Sequence, residues 1–141
     1  MEQVDVLLVE DNPDDAELTL RALRKSNAAE KLLHLDDGAK ALDYLFGGQC
    51  ARMPRFILLD LKLPKIDGLE VLRRVKADER TRGVPVVILT SSKEERDVAA
   101  SYGLGVNSYI VKPVSFDHYM RIVSDVGRYW NELNQLPQLA A

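Results

Sequence analysis

At 141 residues the chain amounts to about one ordinary domain of ~150 residues, long enough to bury a core without disulfide or metal staples. Its 46% apolar and 29% charged residues exclude a mainly disordered chain, and 19 basic against 22 acidic residues (net −3) leave no basic excess for a nucleic-acid backbone. The one cysteine, Cys50, excludes an internal disulfide and a multi-cysteine metal site and fits a reducing cytoplasm; the N-terminus lacks a signal peptide's basic start, and no apolar run approaches the ~18 residues needed to span a bilayer.

In chain order, apolar runs alternate with helical patterns. Residues 4–9 form the first run, broken only by Asp5. Asn12 then caps a helix, with Pro13 at its first position and Asp14 and Asp15 in its first turn. Residues 32–35 are a weaker strand. Asp37 caps a helix through Phe46, stopped by Gly47 and Gly48. Residues 56–59 are the third strand, and Asp67-Gly68 opens a helix to about Glu79, with Leu69, Leu72 and Val75 at helical spacing. Residues 84–89 are the fourth strand, Ser92 to Glu95 reads as a capping box for a helix ending near Tyr102-Gly103, and residues 108–111 are the fifth strand. Ser115 caps the last helix, 116–133, and a frayed tail covers 135–141 behind a domain of 1–134. Short, continuously apolar strands are buried on both faces, so five β-α units predict an α/β fold: one doubly wound, five-stranded parallel sheet. A closed eight-unit barrel needs about 250 residues and is excluded.

The informative side chains stand where strands end. Glu10 and Asp11 follow the first, Asp60 the third, Thr90 closes the fourth and Lys112 follows the fifth. In open parallel sheets ligands bind outside the carboxyl ends of the strands, so these groups converge on one edge. Three carboxylates at ~5 Å and an effective dielectric of ~20 repel by about 3 kcal/mol per pair, which a hard divalent cation such as Mg²⁺ relieves. An aspartate can also attack phosphorus, while a lysine and a hydroxyl stabilise the phosphoryl oxygens.

Val-Leu-Leu-Val-Glu-Asp-Asn, Leu-Leu-Asp-Leu-Lys-Leu-Pro-Lys-Ile-Asp-Gly, Val-Val-Ile-Leu-Thr-Ser and Tyr-Ile-Val-Lys-Pro, in that order, resemble the receiver domains of two-component response regulators from about Val4 to Leu133. The resemblance implies the flavodoxin-like strand order 2-1-3-4-5 and a phosphoryl group accepted by Asp60 from a histidine kinase. It implies Mg²⁺ held by Glu10, Asp11, Asp60 and the Lys62 carbonyl. It further implies Lys112 as the phosphate-binding lysine, followed by a cis bond to Pro113, with Thr90 as the switch hydroxyl. Tyr109 matches the aromatic that moves with Thr90, and as a residue it reads equally as a core tyrosine. Glu10 departs from the aspartate of many members, and its extra methylene suits contact through a water. Asn-Pro-Asp-Asp-Ala-Glu-Leu-Thr and Leu-Gly-Val-Asn-Ser-Tyr-Ile-Val-Lys-Pro-Val further resemble the stand-alone regulators of bacterial and cyanobacterial phytochrome kinases; hybrid kinases have similar ones.

The expectation is a phosphorylation-activated switch without an effector domain, catalysing only its own phosphorylation and dephosphorylation and acting through a partner, a dimer or onward phosphotransfer. The alternatives are a Mg²⁺-dependent phosphatase with an aspartyl nucleophile and a receiver-like scaffold that takes no phosphate. Such phosphatases place a second aspartate two residues after the nucleophile, where this chain has Lys62; the scaffold would lack Asp60, Thr90 or Lys112. His34 and His118 read as surface residues and Cys50 as an inert thiol. On the last helix Phe116, Tyr119, Val123, Val126, Trp130 and Leu133 make a core stripe, and a surplus apolar face around Tyr129, Trp130, Leu133 and Leu136 reads as a homodimer surface.

Overall fold

Strands β1 (Val6–Val9), β2 (Leu32–Leu35), β3 (Phe56–Leu59), β4 (Val86–Thr90) and β5 (Ser108–Val111) hydrogen-bond into one parallel sheet of order β2-β1-β3-β4-β5. The computed structural model describes residues 3–26, 29–48 and 50–137, so the N-terminal Met1-Glu2 and the part of the expected tail beyond Pro137 lie outside it. Side chains alternate between two cores, as the two-residue strand period requires. Val6, Leu8, Phe56, Leu58, Val87 and Leu89 face α1 (Pro13–Lys25) and α5 (Phe116–Arg128). Leu7, Val9, Ile57, Leu59, Val86 and Ile88 face α2 (Gly38–Phe46) and α3 (Gly68–Ala77), with α4 (Glu95–Gly103) beside α3. The doubly wound architecture follows from strands that have no polar face to offer water.

Helix starts follow the sequence closely. Asn12 Oδ1 accepts the Asp14 and Asp15 N–H groups, Asp37 that of Lys40, Asp67 that of Glu70 and Ser115 that of His118. The exception is α4. Ser92 does not cap it: Glu94 is the capping residue and its side chain makes no capping hydrogen bond, while Ser92 Oγ accepts the Glu94 N–H at 3.3 Å and donates to the Asp97 carboxylate. The helix therefore starts later and is tied to the preceding loop through Asp97. Helix α3 stops at Ala77, short of Glu79, because Thr81 folds back and its hydroxyl donates to the Val75 carbonyl.

The last helix reaches Leu133 but widens into a π turn at Tyr129–Leu133. Arg55 seizes this turn, donating to the Asn131 side chain at 2.8 Å and the Asn131 carbonyl at 2.9 Å. Leu136 and Pro137 then line a small cleft with Gln3, Met53 and Pro85 below the sheet. Helices α1 and α5 are joined by a buried hydrogen bond between the Thr19 and Tyr119 hydroxyls, 2.9 Å. Among the described residues no peptide bond is cis, so Lys112–Pro113 is trans, against the cis bond implied by the resemblance; trans is also the ordinary preference of an X–Pro bond.

Candidate functional site: a buried lysine among carboxylates

The strand register brings the expected residues together. Val9 pairs with Leu59, so the next residues, Glu10 and Asp60, emerge side by side, and the Asp60 N–H donates to the Val9 carbonyl at 3.0 Å. Leu59 pairs with Ile88 and Thr90 with Val111; the Lys112 N–H then donates to the Thr90 carbonyl at 2.7 Å. Each strand thus ends a step further along the edge, and the long Lys112 side chain returns across it to Asp60.

Lys112 Nζ is the centre of the site. It lies 2.7 Å from Glu10 Oε1, 2.8 Å from Asp15 Oδ2 and 2.9 Å from Asp60 Oδ2, so its three N–H donors meet three carboxylates. Glu10, Asp60 and Thr90 are buried, whereas Asp11 is exposed. The other Glu10 oxygen accepts the Asn12 N–H at 3.2 Å, and Asp60 Oδ1 accepts the Lys62 N–H at 3.3 Å. The Lys62 side chain itself is exposed.

Asp15 was not singled out from the sequence beyond its place in the first helical turn. Its place two residues into a helix that opens just after the Glu10-Asp11 pair is the signal the sequence offers. His34 is likewise no plain surface residue: it is half-buried, and its Nε2 donates to the Glu10 carbonyl at 2.7 Å, bracing the loop after β1. His118 is exposed and Cys50 is buried, its thiol raised by burial, as an inert cysteine should be.

Burial pushes the Glu10 carboxyl up to about 7; the Lys112 ammonium opposes the rise and the neighbouring Asp60 charge adds to it. Burial also works against charge on Asp60, but hydrogen bonds from Lys112 and the Thr90 hydroxyl outweigh it and hold this carboxyl below its usual range. Lys112 loses solvation too, yet its bonds to Asp15, Glu10 and Asp60 raise it well above an ordinary lysine. Asp60 is therefore kept anionic, and Lys112 cationic, across the neutral range.

Thr90 and Tyr109 meet through the loop after β4. The Ser92 N–H approaches Thr90 Oγ1 at 3.5 Å, while the Tyr109 hydroxyl donates to the Ser92 carbonyl at 3.0 Å. Tyr109 is half-buried, between the two readings its sequence allowed.

Ligand-capable oxygens of Glu10, Asp11 and Asp60 lie within 4.8 Å of one another. Hard carboxylate oxygens with one member open to water suit an octahedral, partly hydrated divalent cation, so these residues fit one. A cleft of about 360 Å³ leads to Lys112 between Asp15, Ser91, Val114 and Phe116. The larger groove of about 710 Å³ lies on the outside of α1, along Leu20 and Arg24, away from Asp60.

Comparison with known proteins shows the family and the fold. The family model of the response regulator receiver domain matches residues 6–124. The probable methanogenesis regulatory protein FilR2 of Methanothrix harundinacea is 44% identical over 94% of this chain and 86% of its own. The response regulator Rcp1 of Synechocystis is 40% identical over 94% and 92%, and its Mn²⁺-bound crystal structure superimposes with a TM-score of 0.88 at 38% identity, covering 96% of this chain and 99% of that one. The phosphorylated cyanobacterial phytochrome response regulator RcpA gives a TM-score of 0.90 at 37% identity over 97% and 100%. The chain belongs to the response regulator receiver domain family and is a phosphoacceptor signalling protein of the two-component type.

Proposed function

We propose that Asp60 is the phosphoacceptor of a switch comprising residues 1–134, with 135–141 as a tail and no catalytic duty beyond its own phosphorylation and dephosphorylation. The observation that carries this reading is the buried Asp60 carboxylate, ionised and bonded to Lys112 at 2.9 Å beside the acidic pair. One Asp60 oxygen forms the new O–P bond as the N–P bond of a kinase phosphohistidine breaks, and the imidazole leaves with that bonding pair. Lys112 turns an N–H to a phosphoryl oxygen, and the Thr90 hydroxyl donates to another, so fixed donors meet the developing charge.

Glu10, Asp11, Asp60 and the Lys62 carbonyl are the residues that would hold Mg²⁺, with Glu10 working through a water because the methylene it has beyond an aspartate changes its reach. That cation would supply neutralisation of carboxylate and phosphoryl charge. Movement of Thr90 toward the phosphoryl group draws on the Ser92 loop and thereby on the Tyr109 hydroxyl, making Thr90 and Tyr109 the switch pair.

The donor in this reading is a cytoplasmic sensor histidine kinase of phytochrome or hybrid type, on the likeness to Rcp1 and RcpA. Val114 and Phe116, exposed beside the cleft, offer that kinase an apolar landing. Output passes through a homodimer on the last helix or through a further partner. Incubation with acetyl phosphate and Mg²⁺ tests the site: the wild type is labelled and Asp60→Asn, with an unchanged fold, is not. Full labelling of that variant refutes the assignment.

A further inference from the structure

Of the three carboxylates around Lys112, two have other duties. Glu10 and Asp60 belong to the trio that can hold a cation, and Asp60 is also the group to be phosphorylated. Asp15 has neither duty. It sits on a different element, α1, with its side chain 28% exposed at the rim of the cleft. Lys112 meanwhile has a long stem of rotatable bonds, and an ammonium on such a stem costs side-chain entropy to hold in one place.

Asp15 is itself well fixed. Its N–H donates to the capping Asn12 side chain at 3.1 Å, and its carbonyl accepts the Thr19 hydroxyl at 2.8 Å. Thr19 is bonded in turn to Tyr119 on α5. The carboxylate therefore projects from a braced helical turn, and a charge-assisted bond of 2.8 Å to it is a strong one.

We infer that Asp15 is a positioning residue for phosphoryl transfer: it anchors the Lys112 ammonium at the phosphoryl site when Glu10 and Asp60 are otherwise engaged. Three N–H donors suffice for Asp15, a phosphoryl oxygen and one remaining site oxygen, so the anchor need not be released when phosphate arrives. The inference rests on the reading of Asp60 as phosphoacceptor and adds a residue to it that acts only through Lys112.

The test is a titration of the full chain with beryllium fluoride, a non-covalent phosphoryl mimic, in saturating Mg²⁺, followed by two-dimensional amide NMR. Asp15→Ala weakens binding roughly tenfold, the size of a lost charge-assisted hydrogen bond. Asp15→Asn keeps an acceptor of the same length and stays within about threefold of the wild type. Alanine is a good helix former, so the turn should persist; Asp15→Ser, too short to reach Lys112, gives the same loss should Asp15→Ala fail to fold. In a Lys112→Ala background, adding Asp15→Ala changes nothing further, because a double-mutant cycle isolates an effect transmitted through the lysine. Unchanged or tighter binding by Asp15→Ala and Asp15→Ser overturns the inference, as does an equal loss with Lys112 already removed. A wild type that fails to bind beryllium fluoride overturns the phosphoacceptor reading itself, and the positioning role with it.

Discussion

At the scale of single residues, one ammonium balances three carboxylates, and two of those are buried where charge is poorly solvated. Glu10 bears the imbalance, with its carboxyl raised from 4.5 to about 7, while Asp60 is held low. Between those two Glu10 values the folded protein keeps a proton that the unfolded chain has released. The Glu10 contribution to stability is thus full below about 4.5 and is lost as pH rises through about 7. The Asp60 contribution runs the other way and falls off only below its ordinary 3.8, outside that window. In metal-free buffer the stability advantage of Glu10→Gln over the wild type should therefore grow from pH 5 to pH 8, measured by urea unfolding with a chelator present. Parallel pH profiles for the two proteins would contradict a Glu10 carboxyl raised by burial. The same substitution should weaken divalent-cation binding, since it removes a charge from the donor set.

At the scale of elements, the loop that carries Asp60 is shaped by the helix that follows it. The N–H of Gly68 donates to the Leu61 carbonyl at 2.8 Å, and a Cβ on Gly68 would collide with the Asp60 carbonyl oxygen and the Leu61 Cα. Both obstacles are backbone, so neither can swing aside. Gly68→Ala should cost about 1–3 kcal/mol by overpacking. It should also slow acetyl phosphate labelling tenfold or more, because displacements near 1 Å cost about a hundredfold where a nucleophile must be aligned. Gly103, at the end of α4, has open space where a Cβ would go; Gly103→Ala is the control and should leave labelling unchanged. Equal labelling by the two variants would show that close approach of α3 does not set the Asp60 geometry. Helix α4 stands apart from the others, since Ser101 is its buried residue and the Ser92–Asp97 bond ties it to the loop after Thr90. An element so lightly packed is one that a switch can move at small cost.

For the molecule as a whole, the last helix decides what remains available to a partner. The surplus apolar face read from the sequence is divided by the π turn. Trp130 packs on the α1–α5 core, edge-on to Tyr129 at 4.9 Å between ring centres, and Leu136 turns into the cleft below the sheet. Tyr129, 48% exposed, and Leu133, 66% exposed, are left outward. A dimer formed there buries those two side chains, at about 25 cal/mol per Å² of apolar surface removed from water. Leu133→Glu should then give monomers that still accept phosphate, a cleaner substitution than Trp130→Glu, which would disturb the core as well. Sedimentation at micromolar concentration checks this: a wild type that remains monomeric with and without phosphate disproves the dimer.

The features legible in the sequence were those set by local chemistry. Strands without a polar face, caps at Asn12, Asp37, Asp67 and Ser115, and acidic, hydroxyl and lysine residues at strand ends implied a parallel sheet and a charged edge, because backbone periodicity and capping act over a few residues. Register then follows from burying both faces, and the convergence of Glu10, Asp60, Thr90 and Lys112 follows from register. Packing between distant segments decided the rest. The Asp15–Lys112 pair, the His34 brace and the use of Ser92 to hold Asp97 each join residues whose neighbours along the chain do not determine their distance. A carboxylate in a first helical turn looks the same in sequence whether it serves the helix dipole alone or also holds a buried ammonium; only the return of the β5 side chain across the sheet edge, a matter of tertiary geometry, distinguishes them.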